Sequence, residues 1–352
     1  MNEGATCMRT KALNIGVLGC ANIARQFIRD VQPSGQVQIT AVASRTAENA
    51  AAFAHANGVP RSHGSYEALL SDPQVDAIYL PLPNSLHAEW AIKAADAGKH
   101  VLCEKPLALD RQEAQAMFAA ASRNQVVLLE AYPYWFQPQT GAMLQLLRDG
   151  GIGSARYVQA CFGFTLANPN GNIRLNPQLG GGALLDAGSY PLSFIRLVMG
   201  CAPSRVSAVS TMSQTGVDIS TMATLEYGDG RRAQMSCAMD AAMHRRASIA
   251  GSAGMLETEY LNHTSGQTSG HPYGYQPSRM RVRRSVTPTV PFEEVVSPTG
   301  SGFQFAAEAF ARLVRERDFD GTARAAAASI DIAATLDAIH RSAESGLSIV
   351  DL

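Results

Sequence analysis

Four short segments of this 352-residue chain carry residue types and spacings suited to chemistry. The first is Gly16-Val17-Leu18-Gly19-Cys20-Ala21-Asn22-Ile23-Ala24, where Gly19, Ala21 and Ala24 take the three small positions of a dinucleotide fingerprint. Small residues let the backbone turn tightly and approach a pyrophosphate. A helix opening at Asn22 and Ile23 would offer it free N–H groups and a positive dipole end. Two of the three glycines are alanine here, so the segment also suits an ordinary strand–turn–helix junction. The second segment is Ser44-Arg45-Thr46, which ends the next apolar run where an NAD enzyme usually carries Asp or Glu. Arg45 can grip a 2′-phosphate, which favours NADP(H) and leaves NAD(H) possible; a solvated start to the next helix is the plainer use of it. The third is Glu104-Lys105-Pro106. A lysine at the carboxyl end of a parallel strand stands at the ligand-binding edge of the sheet, where it can hold a substrate hydroxyl and lower the pKa of a neighbouring acid. Pro106 restricts Lys105 to extended geometry and admits a cis bond, though the tripeptide also fits a surface turn. The fourth is Asp186-x-x-x-Tyr190. Four residues apart, the two share one face of a helix, after three glycines at 180–182 that permit close approach of backbone. Pro191 predicts a kink around 187–191. Taken alone, the pair also describes a helix with a core tyrosine and a surface aspartate.

These residues need a scaffold, and the apolar pattern supplies one. Strand Leu13–Leu18, helix Asn22–Val31, strand 38–43, helix Ala47–Asn57, short helix 65–70 and strand Ala77–Leu80 alternate in order, the last ending at Pro81 and Pro83. Helix 86–97 closes at Gly98, and strand 100–103, helix 112–124 and strand 126–129 follow. Alternation of this kind makes βαβ units and a parallel sheet. After Tyr132 the grammar changes. A helix at 141–148 leads to a strand at 156–164, an Asn- and Pro-rich loop at 167–178 and a mostly helical stretch at 182–200. Period-2 segments at 206–212, 222–227, 233–239 and 247–250 then read as an antiparallel sheet, and helices at 303–317 and 323–345 close the chain. The expected division is a nucleotide-binding domain over 10–132 and a second domain over 133–352, with the closing helices free to pack back on the first.

The turn at 16–24, the stretch Asp76-Ala77-Ile78-Tyr79-Leu80-Pro81-Leu82-Pro83-Asn84-Ser85-Leu86-His87, the stretch 98–106 and the stretch 180–190 occur in order along nearly the whole chain. Together they resemble the glucose–fructose oxidoreductase/inositol dehydrogenase/MocA family, in the branch holding dimeric dihydrodiol dehydrogenases, NADP-dependent xylose dehydrogenases and sugar 3-ketoreductases. The resemblance implies an α/β protein: an N-terminal Rossmann domain and a C-terminal α/β domain on a large open, mostly antiparallel sheet that often forms the subunit interface, hence a homo-oligomer. It implies a catalytic Lys105 with a cis bond to Pro106. Asn84 and His87 would line the nicotinamide ribose, with Pro81 and Glu104 also at the cofactor; a helix cap is the other use for His87. Many members carry His where this chain has Tyr190. A phenol of ordinary pKa about 10 needs a cation to act as base, and Lys105 is the available one. In the implied mechanism Tyr190 exchanges a proton with the substrate oxygen, Lys105 stabilises the alkoxide and tunes Tyr190, Asp186 orients a neighbouring hydroxyl, and Arg174 adds a substrate contact. Trp135 stands where this branch usually has Arg; it forms either a wall of the nicotinamide pocket or part of the core.

Composition excludes other classes. Lys+Arg 29 against Asp+Glu 30 gives a net charge of −1, which recruits neither nucleic acid nor an anionic membrane. No apolar run is long enough to cross a bilayer. The six cysteines include no C-x-x-C pair, and His244, His263 and His271 are too dispersed for a metal site, so no metal is expected and a reducing, cytoplasmic setting is. The basic run at 279–284 reads as a solvated strand face, and the asparagines at 168–176 mainly as turn formers. Met8 is an alternative start to Met1. The expected activity is NADP(H)-dependent hydride transfer to or from a secondary or anomeric alcohol or ketone of a sugar or cyclic polyol or diol. The alternatives are a cofactor-retaining, glycosidase-type elimination through transient oxidation and a non-catalytic nucleotide sensor.

Overall fold

The computed structural model describes residues 11–259, 279–346 and 348–352. The expectations for Met1, Met8, His263 and His271 lie outside the described residues.

The first half alternates as its apolar pattern requires: β1 (Leu13–Leu18), α1 (Asn22–Val31), β2 (Val37–Ala43), α2 (Ala47–Asn57), β3 (Ser62–His63), α3 (Tyr66–Leu70), β4 (Ala77–Leu80), α4 (His87–Asp96), β5 (His100–Glu104), α5 (Arg111–Arg123) and β6 (Leu128–Ala131). The strands form a six-stranded parallel sheet in the order β3-β2-β1-β4-β5-β6, the doubly wound arrangement of a Rossmann domain. Continuous burial along β4 and β6, and along β1 apart from Asn14, matches strands covered by helices on both faces. Two-residue β3 was too short for a pattern to find. β6 begins two residues later than expected, because Gln125 takes a left-handed turn (φ 54°) before the strand can start.

The second half holds α6 (Pro138–Arg148), β7 (Ala155–Thr165), α7 (Ser189–Met199), β8 (Arg205–Met212), β9 (Asp218–Glu226), β10 (Arg232–Ala238), β11 (Asp240–Gly251), β12 (Met255–Thr258), β13 (Met280–Arg283), β14 (Glu293–Glu294), α8 (Gly302–Glu316), α9 (Phe319–Glu344) and β15 (Val350–Asp351). Its nine-stranded sheet runs β14-β13-β12-β11-β7-β10-β9-β8-β15 and is antiparallel except where β7 meets β10. The helix expected over 182–200 divides: Leu184–Gly188 is a π-turn, and α7 starts at Ser189. Pro191 has no N–H for the Ala187 carbonyl, and the widened turn absorbs that missing bond where a kink was expected.

The closing helices bind the halves together. Phe27 of α1 stacks on Tyr79 of β4 at 3.7 Å and meets the edge of Phe303 of α8 at 5.9 Å, so α8 belongs to the first domain's core. α9 places Ala333 in that domain's other core cluster and Ile332, Leu336 and Ile339 in the core of the second.

Candidate active site

The carboxyl ends of β1, β2 and β4 open on a cleft of about 490 Å³ lined by Gly19, Ala21, Ser44, Arg45 and Pro81. Gly19 has φ 123°, and a Cβ there would stand 2.9 Å from Leu82 Cδ2, so the tight turn demands glycine. Ala21 is the N-cap of α1 and offers no side-chain cap. No acidic residue lies in the first turn, so the free N–H groups at the start of α1, those of Asn22 and Ile23 among them, have no competing carboxylate in that turn. This cradle, with guanidinium groups at Arg25 and Arg45, fits a dinucleotide pyrophosphate and a further phosphate. Arg25, Asn49 and Tyr66 line the same cleft and were missed by sequence reasoning; Arg25 alone left a signal, as the cation that directly follows the fingerprint.

The second cluster of expected residues gathers where β5 ends against the π-turn of the other domain. The Lys105–Pro106 bond is cis. Lys105 Nζ donates to the Asp186 carbonyl at 2.7 Å and to its Oδ1 at 3.2 Å. Arg174 Nε donates to Asp186 Oδ2 at 2.6 Å. Burial would push the Asp186 carboxyl up, but Lys105 and Arg174 together hold it below its ordinary value. Lys105 Nζ also lies 4.8 Å from the centroid of the Tyr190 ring, over its face. Tyr190 is buried, 3% exposed, and meets the edges of Tyr132 at 5.8 Å and Phe162 at 5.3 Å. Its phenol is pushed well above the ordinary range by burial, then by Glu104 and Asp186, with Arg245 opposing. Lys105 and Tyr190 thus converge, but the charge of Lys105 is committed to Asp186 and the phenol is held protonated.

The remaining expected residues divide. Asn84 Nδ2 donates to the Gly180 carbonyl at 2.7 Å and so ties the first domain to the glycine run of the second. His87 is fully buried, each ring nitrogen 2.8 Å from a backbone carbonyl, Nδ1 from Pro106 and Nε2 from Leu82. That corrects the expectation of a ribose contact: an imidazole with no exposed surface braces the Lys105–Pro106 turn from behind. Burial lowers its pKa. Glu104 is buried beneath the site, accepting from Tyr79 Oη at 2.6 Å, rather than at a cofactor surface. Trp135 is partly buried, tilted on Tyr132 at 4.8 Å, with Nε1 donating to Tyr134 Oη at 2.9 Å, which makes it one wall of the aromatic cluster around Tyr190.

Two carboxylates were missed. Glu130 sits on β6 beneath Lys105, 1% exposed, and its Oε1 accepts from the Leu107 N–H at 2.9 Å. Burial raises its pKa to about 7. A carboxylate inside the apolar run 126–131 was the signal for it. Asp218 accepts from the Leu184 N–H and from Thr221 Oγ1, both at 2.8 Å, and so fastens the start of the π-turn that presents Asp186. Among the described residues no three His, Cys, Asp or Glu side chains gather as metal ligands, and no helix is long and apolar enough to cross a membrane.

A parallel sheet with a phosphate-sized cradle and, along the same carboxyl edge, a part-buried lysine and aspartate beside a buried tyrosine defines an oxidoreductase of the Rossmann type. Residues 13–132 match the model of an oxidoreductase family with an NAD-binding Rossmann fold, and 141–257 match the GFO/IDH/MocA C-terminal domain. The chain belongs to this GFO/IDH/MocA family. It is 35% identical to D-xylose 1-dehydrogenase (NADP(+)) 2 of Haloferax volcanii, over 95% of this chain and 98% of that protein. It is 35% identical to dTDP-3,4-didehydro-2,6-dideoxy-alpha-D-glucose 3-reductase of Streptomyces violaceoruber, over 97% and 98%. The crystal structure of a 3-ketoreductase from Actinomadura kijaniata, in complex with NADP and TDP-benzene, superposes with a TM-score of 0.80 at 30% identity, covering 94% of this chain and 98% of that one.

Proposed function

We propose that this protein is an NADP(H)-dependent oxidoreductase that interconverts a secondary or anomeric alcohol and the corresponding carbonyl on a sugar or cyclic diol. The observation that carries the reading is the convergence of Lys105, Asp186 and Tyr190 against the carboxyl edge of the parallel sheet. NADP(H) is supported by Arg45 and Arg25 in the cleft, by the lack of a carboxylate at the end of β2, and by relatives that use or bind NADP. When bound, the reduced nicotinamide supplies the hydride.

The side chains divide the remaining work. Tyr190, held neutral by burial and by Glu104 and Asp186, is ready to donate a proton to a carbonyl oxygen, which favours reduction. Lys105 donates to that oxygen as charge develops on it, and Asp186 accepts from an adjacent substrate hydroxyl while Arg174 holds the carboxylate in place. Trp135 and Tyr132 exclude water from the pocket. The reading extends to a homo-oligomer in the cytoplasm. Val209 and Met222, paired across β8 and β9 and 47% and 64% exposed, suit a second copy against the outer sheet face, and the unpaired thiols suit a reducing compartment. A monomer by light scattering would reject the assembly.

The test is nicotinamide absorbance with a panel of sugars, ketosugars and cyclic diols against both cofactors. Turnover with NADP(H) at an efficiency at least tenfold above NAD(H) is expected. Product formation without net change in free cofactor would instead indicate the elimination chemistry.

A further inference from the structure

The loop between β7 and the π-turn serves the site described above through one residue only. Arg174 reaches Asp186 at 2.6 Å. Its chain neighbours Ile173 and Leu175 line a separate cavity of about 480 Å³, with other residues of the loop and Thr215 from the turn between β8 and β9. The loop is firmly built here. Two short 3₁₀ turns, Ile173–Leu175 and Pro177–Leu179, each begin at an asparagine whose Oδ1 accepts a backbone N–H. Asn172 accepts from Arg174 at 3.1 Å and Asn176 from Gln178 at 2.9 Å. The Gly182 N–H donates to the Arg174 carbonyl at 2.8 Å. A Cβ at Gly181 would stand 2.6 Å from that same oxygen, so the loop is seated closely on the glycine run that leads into the π-turn.

The cavity is amphipathic and neutral. Its apolar lining comes from Ile173, Leu175, Pro177 and Leu179, and Ile173 is 50% exposed. Its polar lining includes Asn170, Asn176 and the Thr215 hydroxyl. The Asn170 amide and the Asn176 Nδ2 have no hydrogen-bond partner among the described residues. No charged side chain lines the cavity. Apolar surface beside neutral amides and a hydroxyl matches a pyranose ring, with its C–H faces and hydroxyl edge, and the volume lies within the roughly 300–1,000 Å³ of small-molecule sites. A pyrophosphate would meet only Arg174 beside it, already joined to Asp186. We propose that this cavity is an accessory subsite for the second, neutral sugar ring of a glycosidic substrate. The reacting ring lies against Asp186 and Tyr190, and Arg174 stands at the junction. The inference rests on the oxidoreductase reading and narrows its substrate class to a disaccharide or larger neutral glycoside.

The test measures kcat/KM with NADP+ for D-glucose, D-xylose, D-galactose and trans-1,2-cyclohexanediol, for cellobiose, xylobiose and lactose, and for UDP-glucose. Wild type is compared with Ile173→Ser, which removes apolar lining, and Thr215→Trp, which fills the cavity from the other element. Both positions are exposed, so neither change disturbs a core. In wild type at least one disaccharide should exceed the best monosaccharide by at least tenfold. Each substitution should cut that preference by about five- to tenfold, mainly through KM for the disaccharide. The preference is a ratio within one enzyme, so a general loss of active protein does not move it, and either variant decides alone. A monosaccharide or the diol turned over as well as any disaccharide overturns the inference and leaves the oxidoreductase reading standing. So does a preference for UDP-glucose, or a disaccharide preference that the variants retain. No turnover of any sugar or diol with either cofactor would instead remove the reading beneath it.

Discussion

The two ends of the cleft are built on opposite principles. The phosphate end is made mostly of backbone from one domain: the buried Gly19 turn and the uncapped start of α1, with the exposed Arg45 beside them. The other end is made of side chains from both domains gathered around the buried Tyr190, in which Lys105 and Arg174 together hold Asp186 charged and Tyr190 is kept neutral by its surroundings. Backbone donors keep their dipoles whatever the pH and whatever the neighbouring side chain. Buried ionisable groups depend on one another, so a change to one alters the state of the rest. The first arrangement suits holding a constant ligand, the second suits moving a proton.

The comparison breaks first at Tyr190 and Lys105. Tyr190→Phe and Lys105→Met should each lower kcat/KM by about 10²- to 10⁴-fold while leaving cofactor affinity within a few-fold. Steady-state kinetics beside a cofactor titration decides it. Affinity that falls in step with turnover would mean that the ends are not separable. The converse substitution, Arg45→Ala, should weaken NADPH binding by about tenfold to a hundredfold, the loss of a charge-assisted pair, with NADH binding and kcat unchanged. An equal loss for both cofactors would show that Arg45 does not distinguish them.

The same contrast explains what could be read in the sequence. The phosphate end follows local rules: small residues at fixed spacing after an apolar run, an arginine where a carboxylate is usual, so Gly19, Ala21 and Arg45 could be singled out in the sequence, and all three line one cleft. Lys105, Asp186 and Tyr190 were found as separate motifs, but their partnerships run across 81 residues of chain and follow from topology, not spacing. His87 shows the cost of that gap. Its place in a motif pointed at a ribose, whereas tertiary packing turned it inward onto Pro106 and Leu82. The parallel β7–β10 pair and the return of β15 to β8 were equally invisible, since period-2 patterning fixes which face of a strand is buried and not which strand lies beside it.

The smallest effect on activity, and the sharpest probe of the buried end, is expected at Glu130. Its Oε1 fastens the Leu107 N–H just beyond the Lys105–Pro106 turn, while Oε2 and the nearby Tyr132 Oη and Ser329 Oγ fall short of hydrogen-bond geometry with any partner. Its folded pKa is raised from 4.5 to about 7. Between those values the native state holds a proton that the unfolded chain has released, so wild-type stability falls as pH rises across that window and levels off above it, by up to about 3 kcal/mol. Glu130→Gln stays neutral and keeps the acceptor for Leu107. Its turnover should stay within about tenfold of wild type, and between pH 5 and pH 8 the urea midpoint of wild type should fall relative to that of Glu130→Gln, whatever slope the buried His87 adds to both. Equal pH slopes in the two proteins would mean that Glu130 carries its charge without cost. The buried end would then be no more sensitive to ionisation than the phosphate cradle it faces.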